Sequence, residues 1–117
     1  MSAKSRALAG ALTFAVAICL PGIANATEAD GQALFRENCK SCHDEGSPNG
    51  EYTPMTLIQD QWTRFFDRKF ERTHKDVADP AKGNQPVTEA ISPEELEAIK
   101  KFAIDHAADS ENPMTCG

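Results

Sequence analysis

Apolar residues in this chain recur at helical spacing in three separate stretches, and nowhere do they alternate with the period of two that marks a half-buried strand. Ala33, Leu34 and Phe35 supply the apolar side of a first helix, expected from about Glu28 or Asp30 to about Asn38. Ile58, Trp62, Phe65, Phe66 and Phe70 stand three and four apart and predict one buried face of a second helix, with Thr56 as its cap and Gln59 at the capping-box position. The third has the clearest start. Ser92 suits the N-cap, Pro93 the first helical position and Glu95 the capping box, while Ile91 can meet Leu96 as a hydrophobic staple. Leu96, Ile99, Phe102, Ala103 and Ala107 then line the inner side, and Pro113 stops any continuation.

The intervening segments carry turn chemistry. Asp44 to Pro54 holds Gly46, Gly50, Pro48, Ser47 and Asn49 and reads as a loop. His74 to Glu89 contains Pro80, Gly83, Asn84 and Pro86 with little apolar content and predicts an irregular surface segment. No internal repeat or phosphate-binding glycine loop interrupts this order, so the expectation is an all-α domain of three main helices.

The start of the chain reads as an address. Lys4 and Arg6 precede an uncharged run from Ala7 to Leu20, Pro21 and Gly22 break it, and Ala24-Asn25-Ala26 gives the small-x-small pattern of a signal-peptidase site. Such a run spans only about 21 Å as a helix, against roughly 30 Å of bilayer hydrocarbon, so no stable membrane span is expected. Residues 1–26 are therefore expected to be a signal peptide cleaved after Ala26, and residues 27–117 the mature domain, exported to the periplasm. Cys19 would leave with the leader.

Charge narrows the partners. The whole chain carries 12 Lys and Arg against 18 Asp and Glu. Lys4 and Arg6 are the only charges in the leader, so the mature domain is more acidic still. Basic residues concentrate between Arg64 and Lys75, acidic ones between Glu89 and Glu111. Net acidity excludes a nucleic-acid partner, and the uneven distribution suits a redox protein docked electrostatically.

Cys39-Lys40-Ser41-Cys42-His43 carries the chemistry. Two thiols three residues apart share a face of one helical turn and can each add to a vinyl group of a porphyrin, while the following imidazole can ligate its iron. One covalent haem would also help so short a chain complete a core. A Cys39–Cys42 disulfide leaves His43 unexplained. A thioredoxin-like pair lacks its strand–helix–strand setting, and a zinc site lacks two further ligands at comparable spacing.

With these residues the mature chain resembles the class I monohaem c-type cytochromes. Gly31, Leu34 and Phe35 match the family's G-x-x-L-F pattern ahead of the attachment motif. The resemblance implies a small cytochrome c-like fold in which Gly31 lets the first helix cross close to the last, at Phe102. It also implies that the carbonyl of Pro54 accepts a hydrogen bond from the proximal ligand His43. It departs from the pattern at the sixth iron position, because the loop from His74 to Ile91 contains no methionine.

The tail offers replacements. Met114 and Cys116 lie two residues apart, and Cys116 as a thiolate ligand, with the tail folded back across the haem, resembles the His/Cys-ligated subgroup. Met114 and His74 are the alternatives, and Lys82 or an open position complete the set; an intermolecular disulfide is the competing role for Cys116. Met55 sits beside Pro54 on the proximal side and is a poor candidate. His106, near the end of the last helix, suits capping or packing. The expected function is electron transfer rather than catalysis, alone, with a second cytochrome subunit, or as a redox subunit of an enzyme complex. The alternative is a carbon monoxide or nitric oxide sensor or scavenger in which a labile tail ligand is displaced.

Overall fold

A computed structural model describes residues 28–115; the expected leader, its cleavage site and Cys116 lie outside these residues. The first helix, α1 (Glu28–Asn38), forms where the pattern places it. Gly31, Phe35 and Asn38 are buried on one face, whereas Ala33, expected on the apolar side, is exposed. The reason is geometric, since positions 31, 35 and 38 stack on one face of a 3.6-residue helix and 33 points away from it. The last helix, α5 (Pro93–Asp105), starts with the expected reciprocal cap. The Glu95 N–H donates to Ser92 Oγ at 3.1 Å, and the Ser92 N–H donates to a Glu95 carboxylate oxygen at 2.9 Å.

These two helices cross at Gly31. A Cβ on that residue would lie 2.8 Å from the carbonyl oxygen of Ala98 and 2.9 Å from Phe102 Cβ, so the approach requires glycine. Phe35 and Phe102, both buried, meet at this crossing with ring centroids 5.6 Å apart. Ile99, Ala103 and Ala107 complete the packing.

The second helix departs from expectation at both ends. Pro54 is buried and opens a separate 3-10 turn, Pro54–Thr56, in which Thr56 Oγ1 accepts from the Thr53 N–H at 2.8 Å. Leu57 and Ile58 are extended, and α2 (Gln59–Arg68) begins only after them. Capping therefore falls to Gln61, whose side-chain oxygen accepts from the Ile58 N–H at 3.1 Å, rather than to Thr56 and Gln59. The helix is interrupted at Lys69, which itself stays in the right-handed helical region, and α3 (Phe70–His74) follows. The hydroxyl of Thr73 lies within hydrogen-bond reach of the Lys69 and Phe70 carbonyls, at 2.9 and 3.1 Å, a back-bonding pattern that bends helices.

The segment after His74 is more ordered than its composition suggests. Strands β1 (Ala78–Asp79) and β2 (Gln85–Pro86) pair antiparallel, with Ala78 opposite Pro86. Asp79 accepts the Ala81 N–H at 2.9 Å, and Gly83 and Asn84 both take left-handed conformations that return the chain. A short helix, α4 (Val87–Ala90), follows, and Asp79 and Val87 are buried rather than on the surface, as is Ile91 just after them.

Past α5 the chain doubles back. The Ala108 N–H donates to the Leu57 carbonyl at 3.1 Å and the Gln59 N–H to Asp109 at 2.8 Å, tying the tail to the start of α2. The architecture is all-α with three main helices, as expected, and among the described residues no helix is long and apolar enough to cross a membrane.

Candidate cofactor cleft

Between α1, the loop after it, α2 and α3 lies a cleft of about 800 Å³. Cys39, Cys42 and His43 line one side, and Trp62, Phe65, Phe66, Phe70 and His74 line the side formed by α2 and α3. Phe65 and Phe66 are only half-buried, and Ile58, expected on the same inward face, is 40% exposed. Phe65 and Phe66 thus show apolar ring surface to a space the chain does not fill.

The attachment motif is a single turn leaving α1. The Cys42 and His43 N–H groups both donate to the Cys39 carbonyl, at 3.2 and 2.9 Å, which places both thiols and the imidazole on the cleft wall. Both cysteines are free. Burial pushes the Cys39 thiol up to about 12, and neighbouring Cys42 adds to the effect.

His43 is held by a partner that the sequence did not reveal. Its Nδ1 lies 3.0 Å from the carbonyl oxygen of Gly50, which makes Nδ1 the donor and leaves Nε2 as a lone-pair site. Pro54, expected in that role, instead accepts the Trp62 indole N–H at 2.7 Å in a buried bond. The cause is the loop between them: Gly50 has φ +89°, and the Tyr52 N–H donates back to the His43 carbonyl at 3.1 Å, folding residues 44–52 beneath the imidazole. Tyr52 packs edge-on against His43 with centroids 4.9 Å apart.

The candidates for the other side of the iron separate clearly. His74 lines the cleft. Met114 does not; its sulfur is 3.5 Å from the side-chain amide of Gln32 on α1, and its N–H donates to the His106 carbonyl at 3.1 Å. Lys82 pairs with Glu37 at 3.0 Å, a hydrogen bond that raises its pKa, and it does not line the cleft. Met55 is 39% exposed and outside the cleft. Cys116 lies outside the described residues. His106 is buried, packs at a tilt against Phe102 and holds the tail through the Asn112 carbonyl at 2.7 Å, which is the packing role expected of it.

A planar, largely apolar group with an iron at its centre fits this arrangement. The walls are aromatic, two thiols and an imidazole share one side, and exposed Arg64, Arg68 and Lys69 line the cleft where carboxylate substituents could be met. Asn38 also lines the cleft, and its buried side-chain oxygen has no hydrogen-bond partner among the described residues, a sign of a wall that the polypeptide alone leaves incomplete. A bare metal ion would need three or four protein donors, and the described residues gather no cluster of three His, Cys, Asp or Glu side chains.

Comparison with known families agrees with the geometry. A family model described as cytochrome C oxidase, cbb3-type, subunit III matches residues 26–102. No curated protein and no solved structure matches the chain.

Proposed function

Because the chain belongs to the family of cytochrome C oxidase, cbb3-type, subunit III, a c-type cytochrome domain with covalently bound haem c, we propose that it is a monohaem electron carrier of the periplasm. Cys39 and Cys42 are the attachment residues and His43 is the proximal ligand. The observation that carries this reading is the gathering of both free thiols and the His43 imidazole on one side of an aromatic-walled cleft.

Attachment is a net addition. Cys39 and Cys42 would each hold the haem through a carbon–sulfur bond to a vinyl group, the thiol proton passing to the neighbouring vinyl carbon, so that no electrons are gained or lost. Once bound, the haem supplies a one-electron ferric–ferrous couple. The protein's part is to hold it. The Gly50 carbonyl fixes the His43 ring and strengthens it as a donor, and the α2–α3 aromatics keep water from the macrocycle, both of which tune the potential.

The basic edge of α2 and α3 then presents Arg64, Arg68, Lys69, Arg72 and Lys75 to an acidic redox partner, as a free carrier or as a subunit of a larger complex. Export uses residues 1–26 as leader. In this reading the protein relays electrons and catalyses no reaction of its own. The gas-binding alternative with Met114 as labile ligand is disfavoured by the anchoring of that residue to Gln32 and His106.

The test is haem retention under denaturing conditions. The protein secreted from a host with haem-attachment machinery should start at Thr27 and keep one haem per chain through denaturation, and the Cys39→Ser/Cys42→Ser double variant should lose it. Absence of covalent haem from wild type, or its retention in the double variant, overturns the assignment.

A further inference from the structure

We infer that His74 is the second axial ligand of the iron, so that the protein holds its haem between two histidines; this rests on the covalent haem reading above. The sequence around His74, between Thr73 and Lys75 in the most basic stretch of the chain, describes a solvated side chain. The structure places it differently. Helix α3 carries His74 half-buried on the wall of the same cleft as His43.

Distance is the first argument. An imidazole nitrogen binds a first-row metal at about 2 Å, and in a five-membered ring with bonds near 1.33 Å the centroid lies about 1.1 Å from each nitrogen. Two imidazoles bound to one iron from opposite sides therefore have centroids about 6.2 Å apart. The centroids of His43 and His74 are 6.3 Å apart. Their planes differ by 75°, which two ligands sharing only an iron–nitrogen axis are free to do.

Tautomer is the second. His74 Nδ1 lies 2.8 Å from the Phe70 carbonyl oxygen, as His43 Nδ1 lies 3.0 Å from that of Gly50. A carbonyl accepts and never donates, so each ring carries its proton on Nδ1 and each Nε2 has its lone pair available. Among the described residues neither Nε2 has a hydrogen-bond partner. This pairing of a metal-binding nitrogen with a carbonyl-bound second nitrogen is how ligating histidines are oriented.

Preorganisation is the third. The His74 ring stacks on Phe70 with centroids 4.8 Å apart and planes 24° apart, and it meets the edge of Phe65 at 6.3 Å. The Thr73 hydroxyl lies 2.9 Å from the same Nδ1. A surface histidine needs none of these supports.

Ligation by two histidines leaves no position for an exogenous molecule and holds the potential below that of a His/Met site. The experiment is near-infrared magnetic circular dichroism of the ferric holoprotein, with electron paramagnetic resonance, for wild type, His74→Ala and His74→Met, each first assayed for haem that survives denaturation. Wild type should show the charge-transfer band of His/His ligation. His74→Ala should turn high-spin and recover the low-spin spectrum with added imidazole, and His74→Met should shift the band to the His/Met position and raise the potential. A thiolate or His/Met band in wild type, or a low-spin spectrum unchanged in His74→Ala, overturns His74 as ligand while leaving covalent haem intact. Loss of denaturation-resistant haem from wild type would instead overturn the reading beneath it. Because the wild-type band alone decides, a poorly folding variant does not blunt the test.

Discussion

The α1–α5 crossing and the α2–α3 wall are built from the same materials, aromatic and aliphatic side chains at helical spacing, yet only the first is closed by the chain itself. At the crossing, Phe35, Ile99, Phe102 and Ala103 are 0–2% exposed and the backbones touch through Gly31. At the wall, Phe65 and Phe66 stay half-buried, although Trp62 beside them is 4% exposed. One half of the core is complete as polypeptide, and the other half has left room for a partner. Dependence on the cofactor should therefore be local, strong in α2–α3 and weak at the crossing.

The largest effect should come from withholding the cofactor. The full chain made without haem attachment should lose amide-exchange protection throughout α2 and α3 while residual protection persists in α1 and α5. Equal protection in the two regions, by hydrogen-exchange mass spectrometry, would erase the contrast. Phe102→Ala attacks the other side and should cost about 3–5 kcal/mol in denaturant unfolding of the holoprotein, with its absorption spectrum unchanged before unfolding begins.

Trp62 belongs to both regions, since it lines the cleft, meets Phe35 edge-on at 6.4 Å and donates to the Pro54 carbonyl. Trp62→Phe strands that buried carbonyl and should cost about 1–3 kcal/mol, and unlike Phe102→Ala it should also shift the haem spectrum. The smallest effect should be that of Gly31→Ala. The added methyl group gains up to about 1 kcal/mol of helix propensity but meets the Ala98 carbonyl, which cannot rotate away, at an overpacking cost of about 1–3 kcal/mol. Net destabilisation of about 1 kcal/mol with an unaltered spectrum is the expected result, read from the unfolding midpoint.

What the sequence disclosed follows the same division. The capping box of α5, the glycine of the crossing and its aromatic partner Phe102 are short-range signals or a family pattern, and each is where it was expected. The attachment motif announces its chemistry within five residues. What escaped depended on contacts between segments. Pro54 was assigned to His43 by resemblance, but the fold of loop 44–52 brings Gly50 there first. The glycine at 50 was a turn signal, though nothing local told which carbonyl the turn would present. Thr56 had the chemistry of a cap but was taken up by the turn that Pro54 starts. His74 was only one alternative among several for the sixth position, and it is the fold that sets it on the wall of the cleft with His43. The Ala78–Pro86 ribbon was missed because two-residue strands leave no periodicity to read.

The crossing at Gly31 has a consequence in time as well as in space. It joins the first described helix to the last, so a large part of the chain must be made before α1 meets its partner, and closing so long a loop is the slow, late event in folding. Until then α1 has no partner helix to pack against. The proposed attachment residues Cys39 and Cys42, in the turn that leaves α1, are thus presented on a chain whose closing contact is still to come.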